Sequence, residues 1–225
     1  MEVLAVVPAR GGSQRVPRKN LARLGGKTLV RRALETAIAA GCFGAVAISS
    51  EDPEILAEAE GTAAIPIERP PELSSHNARA LDAVLHALDA VPGKWDAVAI
   101  IQATSPFTAP EDLRGAVEMM DRTGAGSVIS VARVEAADHP FKLKVLEGDR
   151  IKPWLEDDRM TPSHELPSLW VRNGSVYLTR TEVLRRGEIV DPDDQRGYEM
   201  PAERSFDIDT PRDLAFAEFL LSTGR

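Results

Sequence analysis

The sequence predicts an α/β fold built on a mostly parallel central sheet. Over roughly the first 135 residues, short apolar runs alternate with segments whose apolar residues recur at helical spacing. The helical segments are about 10–15 residues long, a length typical of the crossovers that join parallel strands. Such crossovers are right-handed and place helices on both faces of the sheet. We therefore expect one α/β domain with helices flanking the sheet.

Local patterns define the individual elements. Val3–Val7 is an apolar run that ends before Pro8, as in a buried strand. Apolar residues at helical spacing predict a first helix over residues 27–41 that ends at Gly41. A second helix is predicted to start at Asp52, a suitable N-cap, followed by Pro53 at the first helical position. Further strands are predicted at Ala45–Ile48, Ala64–Ile67, Ala97–Ile101, Ser127–Val131 and Ser175–Leu178, and further helices at Ser75–Ala90, Pro110–Met120 and Thr210–Leu221.

Residues 137–170 interrupt this alternation. They contain four prolines, two tryptophans and two short strand patterns, at Phe141–Leu146 and Ile151–Trp154. We interpret them as a small β-rich insert. The α/β domain would then consist of residues 1–136 and 171–225.

Composition excludes several classes of protein. A net charge of −8 argues against nucleic acid as the partner. No apolar run approaches the roughly 18 residues of a membrane span, and the N-terminus lacks the basic region of a signal peptide. A single cysteine, Cys42, excludes an internal disulfide framework. We expect a cytoplasmic protein that binds neither membrane nor nucleic acid.

The segment Pro8–Asn20 predicts an anion site. It directly follows the first predicted strand, and open α/β sheets bind ligands beyond the carboxyl ends of their strands. Gly11 and Gly12 allow backbone amides to turn toward an anion. The segment also supplies charge-assisted donors, namely Arg10, Arg15, Arg18 and Lys19. This combination suits a triphosphate, and the alternative is a solvated basic loop.

The segment Phe206–Leu214 predicts a site for a divalent cation. In an extended stretch, Asp207 and Asp209 point to one side and Ile208 to the other. Paired carboxylates suit Mg²⁺, which proteins bind through one or two carboxylates together with substrate phosphates. The alternative is that these aspartates only belong to a helix start, which accounts for Asp213 but leaves Asp207 unexplained.

Polar residues also follow the predicted strand Ala97–Ile101. Gln102, Thr104 and Ser105 stand at its carboxyl end, where substrate contacts are expected, although a Ser-Pro helix start is an equal alternative. The four histidines lack the spacing of zinc ligands, and no covalent nucleophile can be nominated.

Five segments in this order resemble one known family, the acylneuraminate cytidylyltransferases or CMP-sialic acid synthetases. The matching segments are Pro8–Leu21 (PARGGSxxxPRKNL), Arg69–Leu73 (RPxEL), Gln102–Pro106 (QxTSP), Asn173–Tyr177 (NGSVY) and Phe206–Leu214 (FDIDTPxDL). The resemblance implies a three-layer α/β nucleotidyltransferase fold in which residues 137–170 form a dimerisation arm. We therefore expect a homodimer.

The resemblance also implies an activity and the residues that perform it. CMP would pass from CTP to a small acidic acceptor with release of pyrophosphate, with Arg10, Lys19 and Asp209 as catalytic residues and with Mg²⁺ bound by Asp207 and Asp209. The expected CTP contacts are Ala9, Arg10, Gly11, Gly12, Ser13, Lys19, Asn20, Arg69 and Ala78. The expected acceptor contacts are Gln102, Thr104, Ser105, Lys142 and Asn173.

The resemblance leaves the acceptor open. Gln14 stands where the family usually has a lysine, Phe107–Thr108 replace a basic residue, and Ser163–Glu165 stand where sialate enzymes often carry an arginine. The acceptor is expected to be a nonulosonic acid, such as a sialic acid, or a phosphonate. A nucleotidyltransferase acting on another nucleotide or a sugar phosphate, and a non-catalytic nucleotide-binding protein, are the alternatives.

Overall fold

A seven-stranded sheet forms the centre of this computed structural model, which describes residues 1–12, 16–74, 78–155 and 162–224. The described residues contain seven strands of this sheet and two separate pairs of strands. In chain order the strands are β1 (Val3–Pro8), β2 (Arg23–Leu24), β3 (Lys27–Thr28), β4 (Ala45–Ser50), β5 (Ile65–Glu68), β6 (Ala97–Ile101), β7 (Ser127–Arg133), β8 (Lys144–Glu147), β9 (Arg150–Pro153), β10 (Trp170–Arg180) and β11 (Gln195–Glu199). The separate pairs are β2–β3 and β8–β9. The α-helices are α1 (Leu29–Ala40), α2 (Pro53–Ala57), α3 (Ala80–Ala90), α4 (Pro110–Thr123), α5 (Thr181–Arg185) and α6 (Pro211–Thr223).

The strand order in this sheet is β11-β7-β10-β6-β1-β4-β5. Neighbouring strands are parallel except at β10, which runs antiparallel to both β6 and β7. The prediction of a mostly parallel central sheet is therefore confirmed.

Helices cover both faces of the sheet, which confirms the three-layer α/β arrangement. Along β1, Val3 and Val7 pack into the core shared with α1 and α4, whereas Leu4 and Val6 pack into the core shared with α3 and α5. These β1 side chains are fully buried, because a parallel strand between two helical layers has no solvent face.

The chain reverses its direction across the sheet next to β1. From β1 it proceeds through α1 to β4 and β5 on one side, and then returns through α3 to β6 on the other side. The crossover helices α1 and α3 lie on opposite faces, so a crevice opens beyond the carboxyl ends of β1 and β6. Such a switch point is the usual ligand site of an open α/β sheet.

Several predicted boundaries shift for identifiable reasons. Helix α1 begins at Leu29 because the Thr28 hydroxyl accepts a hydrogen bond from the Arg31 amide and acts as the N-cap. Helix α3 begins only at Ala80, after a 3₁₀ turn at Pro71–Ser74, and residues 75–77 of the predicted helix lie outside the described residues. The edge strand β11 was not predicted, because its mostly polar sequence lacks an apolar alternation.

The segment predicted as an insert contains a separate antiparallel hairpin, β8–β9. Its first predicted strand starts later than expected because Pro140–Lys142 form a 3₁₀ turn, in which the Phe141 amide donates to the His139 side chain. Within the described part of the chain, no helix is long and apolar enough to cross a bilayer.

Candidate active site

A cleft of about 310 Å³ lies at the switch point of the sheet. Its walls come from the loops after β1 and β6, from the 3₁₀ turn before α3 and from the start of α3. Seven residues that the sequence predicted as site residues line it: Arg10, Lys19, Asn20, Arg69, Ala78, Gln102 and Thr104. The structure thus brings together residues from three of the sequence segments singled out above and Ala78.

The cleft is cationic. Arg10, Lys19, Arg69 and Arg79 line it, and no carboxylate is among its described lining residues. The Arg10 guanidinium is exposed and has no hydrogen-bond or ion-pair partner among the residues that the structure describes. An unpaired guanidinium beside other cations is suited to a polyanion such as a triphosphate.

The two ends of the chain meet at this cleft. The Lys19 ammonium lies 3.1 Å from the Asp209 carboxylate and 2.9 Å from the Ile208 carbonyl oxygen. On the same loop as Lys19, the Asn20 side chain donates to the Arg10 carbonyl at 2.9 Å. The basic segment near the N-terminus and the acidic segment near the C-terminus are therefore in direct contact at the edge of the cleft, although Asp207 and Asp209 themselves are not among its lining residues.

The loop that carries Asp207 and Asp209 is fixed on two sides. The Ile208 amide donates to the Thr104 carbonyl at 2.8 Å, and the Ile208 side chain is fully buried. A bidentate ion pair at 2.7 and 2.8 Å joins Arg204 to Asp112, a fully buried carboxylate at the start of α4. With Ile208 anchored in the core, its two acidic neighbours lie outward, as the alternation of an extended chain predicts.

The two aspartates are chemically suited to a hard cation. Burial by surrounding protein atoms raises the pKa of Asp207 above its usual value although its surface is partly open, and the nearby Asp209 charge raises it further. The Thr104 hydroxyl and the Lys19 charge partly offset this increase, because each lowers the pKa of Asp207. Two mutually repelling carboxylates beside a cationic cleft match the oxygen ligands that Mg²⁺ takes. The residues present therefore fit Mg²⁺, although no cluster of three acidic, histidine or cysteine ligands occurs among the described residues.

Glu51, which directly follows β4, contacts two parts of the predicted CTP site. One carboxylate oxygen accepts the Gly11 amide at 2.8 Å, and the other accepts the Arg69 guanidinium at 3.0 Å. The Gly11 amide, expected to face an anion of the ligand, is therefore already occupied by a carboxylate. Burial opposes ionisation of Glu51, but its hydrogen bonds outweigh this effect and hold its pKa below the usual range.

Other predicted residues lie outside the cleft lining. Ser105 and Asn173 are buried, and the Asn173 amide donates to the Ser205 hydroxyl at 2.8 Å. Lys142 donates to Ser163 at 3.2 Å, next to the hairpin. Ala9 is buried, and its backbone amide donates to the Ser49 carbonyl of β4 at 3.0 Å. Among the remaining predicted residues, Gly12 does not line the cleft, and Ser13 and Arg15 lie outside the described residues.

One cation of the basic segment points elsewhere. Arg18 forms ion pairs with Asp52 at 3.2 Å and with Glu54 at 3.0 Å, and it does not line the cleft. Its expected role as a phosphate donor is not supported, because two carboxylates already hold its guanidinium. Arg79, which sequence reasoning missed, does line the cleft and pairs with Asp82. The only available signal was its position next to Ala78.

Comparison with known proteins decides the family. A model of the family described as "Cytidylyltransferase" matches residues 4–220, nearly the whole chain. The chain belongs to the cytidylyltransferase family. The enzyme is accordingly a CTP-dependent nucleotidyltransferase, and the family suggested by its sequence motifs is confirmed.

Two relatives support this assignment over almost the full length of the cytidylyltransferase. CMP-N,N'-diacetyllegionaminic acid synthase of Legionella pneumophila is 30% identical over 98% of this chain and 97% of its own. N-acylneuraminate cytidylyltransferase A of Danio rerio is 32% identical over 96% of this chain and 50% of its own. The enzyme therefore matches the whole of the bacterial relative and half of the fish protein.

A solved structure supports the fold of the cytidylyltransferase. The structure of CMP:2-keto-3-deoxy-manno-octonic acid synthetase complexed with CTP superposes with a TM-score of 0.75, at 20% identity and with all of both chains covered. The nucleotidyltransferase architecture expected from the sequence is therefore confirmed.

Proposed function

We propose that this cytidylyltransferase transfers CMP from CTP to a nonulosonic acid and releases pyrophosphate. The observation that carries the proposal is the meeting of Lys19 with Asp209 at a cationic cleft, since it joins triphosphate donors and carboxylates in one site. The acceptor class follows from the relatives, which are named as enzymes that activate legionaminic acid and N-acylneuraminate. A phosphonate acceptor has no comparable support.

In this proposal CTP occupies the cleft, with its phosphates against Arg10 and Lys19. Both cations stabilise the charge that develops as an oxygen of the acceptor attacks the α-phosphorus and pyrophosphate leaves. Gln102 and Thr104 follow β6 on the opposite wall, where they can orient the acceptor. Ser105, Lys142 and Asn173 remain predicted acceptor contacts. Catalysis then depends on positioning and charge neutralisation, without a covalent intermediate.

Asp207 and Asp209 would hold Mg²⁺ in this proposal. When bound, the ion neutralises phosphate charge and favours departure of pyrophosphate. Lys19 now pairs with Asp209 at 3.1 Å and also lines the cleft, so in this proposal it would exchange that interaction for the phosphates of the nucleotide. The Ile208 amide, which donates to the Thr104 carbonyl at 2.8 Å, fixes the backbone between the two aspartates.

The proposal is tested by measuring pyrophosphate release from CTP with a panel of acids. The panel contains sialic, legionaminic and pseudaminic acids, a phosphonic acid and a sugar phosphate. We expect release only with one or more nonulosonic acids, and only with Mg²⁺ present. Release with the phosphonic acid or the sugar phosphate alone would contradict the proposed acceptor, and no release with any of them would contradict the proposed chemistry.

Removing the Arg10 side chain should weaken CTP binding. In Arg10→Ala we expect the KM for CTP to rise about tenfold or more, because one charge-assisted interaction with the phosphates is lost. Steady-state kinetics with CTP varied at saturating acceptor would measure this. Arg23→Ala removes an exposed cation that lies three residues beyond the basic segment and donates to Gly26 outside the cleft, and it serves as the control. An equal KM in both variants would remove Arg10 from the phosphate site.

We also propose that the enzyme is a homodimer held together by the β8–β9 hairpin. Its cytoplasmic location remains a prediction. Leu146 and Ile151 pair across the hairpin and are 69% and 66% exposed, and Trp154, directly after β9, is 65% exposed. A two-stranded hairpin with a bare apolar face is marginally stable alone, so a second copy covering it is the simplest partner.

Charges on this face should separate the two copies. We expect the double variant Leu146→Lys, Ile151→Lys to elute as a monomer in size-exclusion chromatography with light scattering, whereas wild type elutes as a dimer. Arg150→Ala alters the neighbouring position on the opposite face of β9 and should leave the dimer intact. A dimeric double variant, or a monomeric wild type, would contradict the role of the hairpin.

A further inference from the structure

Glu51 connects the ends of three adjacent strands around the cleft, although it is not among the lining residues. It follows β4, Gly11 follows β1 and Arg69 follows β5. Backbone hydrogen bonds join the same region, since the Ala9 amide donates to Ser49 at 3.0 Å and the Arg69 amide donates to Ser50 at 2.8 Å. The carboxylate of Glu51 completes this frame through its two side-chain contacts.

Arg69 depends on Glu51 for its place in the wall of the cleft. Arg69 is only 5% exposed, and its Nε atom is buried with no hydrogen-bond partner among the described residues. Besides Glu51, the guanidinium contacts, among the residues that the structure describes, only the Ala9 carbonyl, at 3.5 Å. Without Glu51, a buried cation would keep a single weak hydrogen bond, an arrangement that proteins avoid.

The geometry demands two acceptors at this position. The donors from Gly11 and Arg69 approach different oxygens of one carboxylate, at 2.8 and 3.0 Å. A glutamine side chain has one carbonyl oxygen and one NH₂ group, so it would satisfy one donor and place its own donor against the other. An aspartate has two acceptors, but its side chain is shorter by one methylene and cannot maintain both contacts without movement of the backbone.

We propose that Glu51 is a positioning residue for the nucleotide, which holds Arg69 in the cleft wall and fixes the start of the glycine loop in its binding conformation. The proposal rests on the proposed placement of CTP in this cleft. Because Glu51 contacts the Gly11 amide and Arg69 rather than Lys19 or Asp209, its loss should weaken CTP binding more than it lowers turnover at saturating CTP.

The test compares CTP binding and kinetics in wild type, Glu51→Gln, Glu51→Asp and a control. Glu35→Gln is the matched control, since Glu35 also accepts two cations, Lys27 at 2.6 Å and Arg31 at 3.0 Å, but lies outside the cleft. Isothermal titration with CTP should give a dissociation constant about tenfold higher in Glu51→Gln, the scale of one lost charge-assisted interaction. Glu51→Asp should bind several-fold more weakly, and Glu35→Gln as wild type.

The outcomes separate this inference from the proposed function. If Glu51→Gln and Glu51→Asp bind CTP as wild type does, or if kcat falls while the KM for CTP is unchanged, the positioning role is wrong. If Glu51→Gln does not fold, Glu51→Asp decides by the same criteria. Arg10→Ala tests the placement of CTP separately: normal CTP affinity in that variant would overturn the cleft as the nucleotide site, whatever the Glu51 variants show.

Discussion

Asp209→Asn should lower the turnover number about 100-fold or more, the scale of losing a preorganised electrostatic group at a reacting phosphate. The substitution keeps the size of the side chain but removes the charge that would attract Mg²⁺ and that now pairs with Lys19 at 3.1 Å. Initial rates of pyrophosphate release at saturating CTP and acceptor, measured across a range of Mg²⁺ concentrations, would give the effect. We expect higher Mg²⁺ to restore at most a small part of the activity.

The matched control for this variant is Asp193→Asn. Asp193 is an exposed carboxylate of the same acidic C-terminal stretch, so the change in net charge is identical while the cleft is untouched. Its turnover should equal that of wild type. Wild-type turnover in Asp209→Asn at saturating Mg²⁺ would remove Asp209 from the metal site and from catalysis.

Asp112→Ala should reduce the free energy of unfolding by about 3 kcal/mol, because it leaves the Arg204 guanidinium without its carboxylate partner. The Asp112 side chain is fully buried, whereas that of Arg204 is 33% exposed and can regain some water, so we expect the lower end of the usual range. Thermal unfolding followed by circular dichroism should show Tm lower by roughly 6–12 °C for a chain of this size. Loss of the hydrogen bond from the Ala109 amide adds to the effect.

Glu111→Ala is the control for this second variant. Glu111 precedes Asp112 in the first turn of α4 but is exposed, and its removal should change the stability by less than about 0.5 kcal/mol. Because Arg204 lies three residues before Asp207, Asp112→Ala should also raise the Mg²⁺ concentration needed for half-maximal activity. Equal Tm values for Asp112→Ala and wild type would show that the ion pair does not fix the loop.

The sequence predicted the central strands well because burial on both faces leaves continuous apolar runs. Ala97–Ile101 was predicted with the boundaries that the structure has. Prediction failed where side chains carry no periodic signal. The polar edge strand β11 and the short helix α5 were missed, since an edge strand and a five-residue helix bury too little apolar surface to impose a pattern.

The candidate site was predictable where one short segment contains all the relevant chemistry. The pairing of Lys19 with Asp209 agrees with the expectation from two such segments, which lie 190 residues apart. The role of Glu51 could not be predicted in this way, because it depends on the ends of three strands lying next to one another. The order of strands in a sheet is not determined by any short segment of sequence. An acidic residue three positions after the predicted strand Ala45–Ile48 was the only hint.

The central claim is that one metal–nucleotide complex joins the basic N-terminal loop to the acidic C-terminal loop. A crystal structure of the enzyme with CTP and Mn²⁺, with the ion located by its anomalous scattering, tests it most directly. We expect a manganese ion bound by Asp207, Asp209 and a phosphate oxygen, with the triphosphate against Arg10 and Lys19. A nucleotide bound away from the cleft between β1 and β6, or an ion held by other carboxylates, would contradict it.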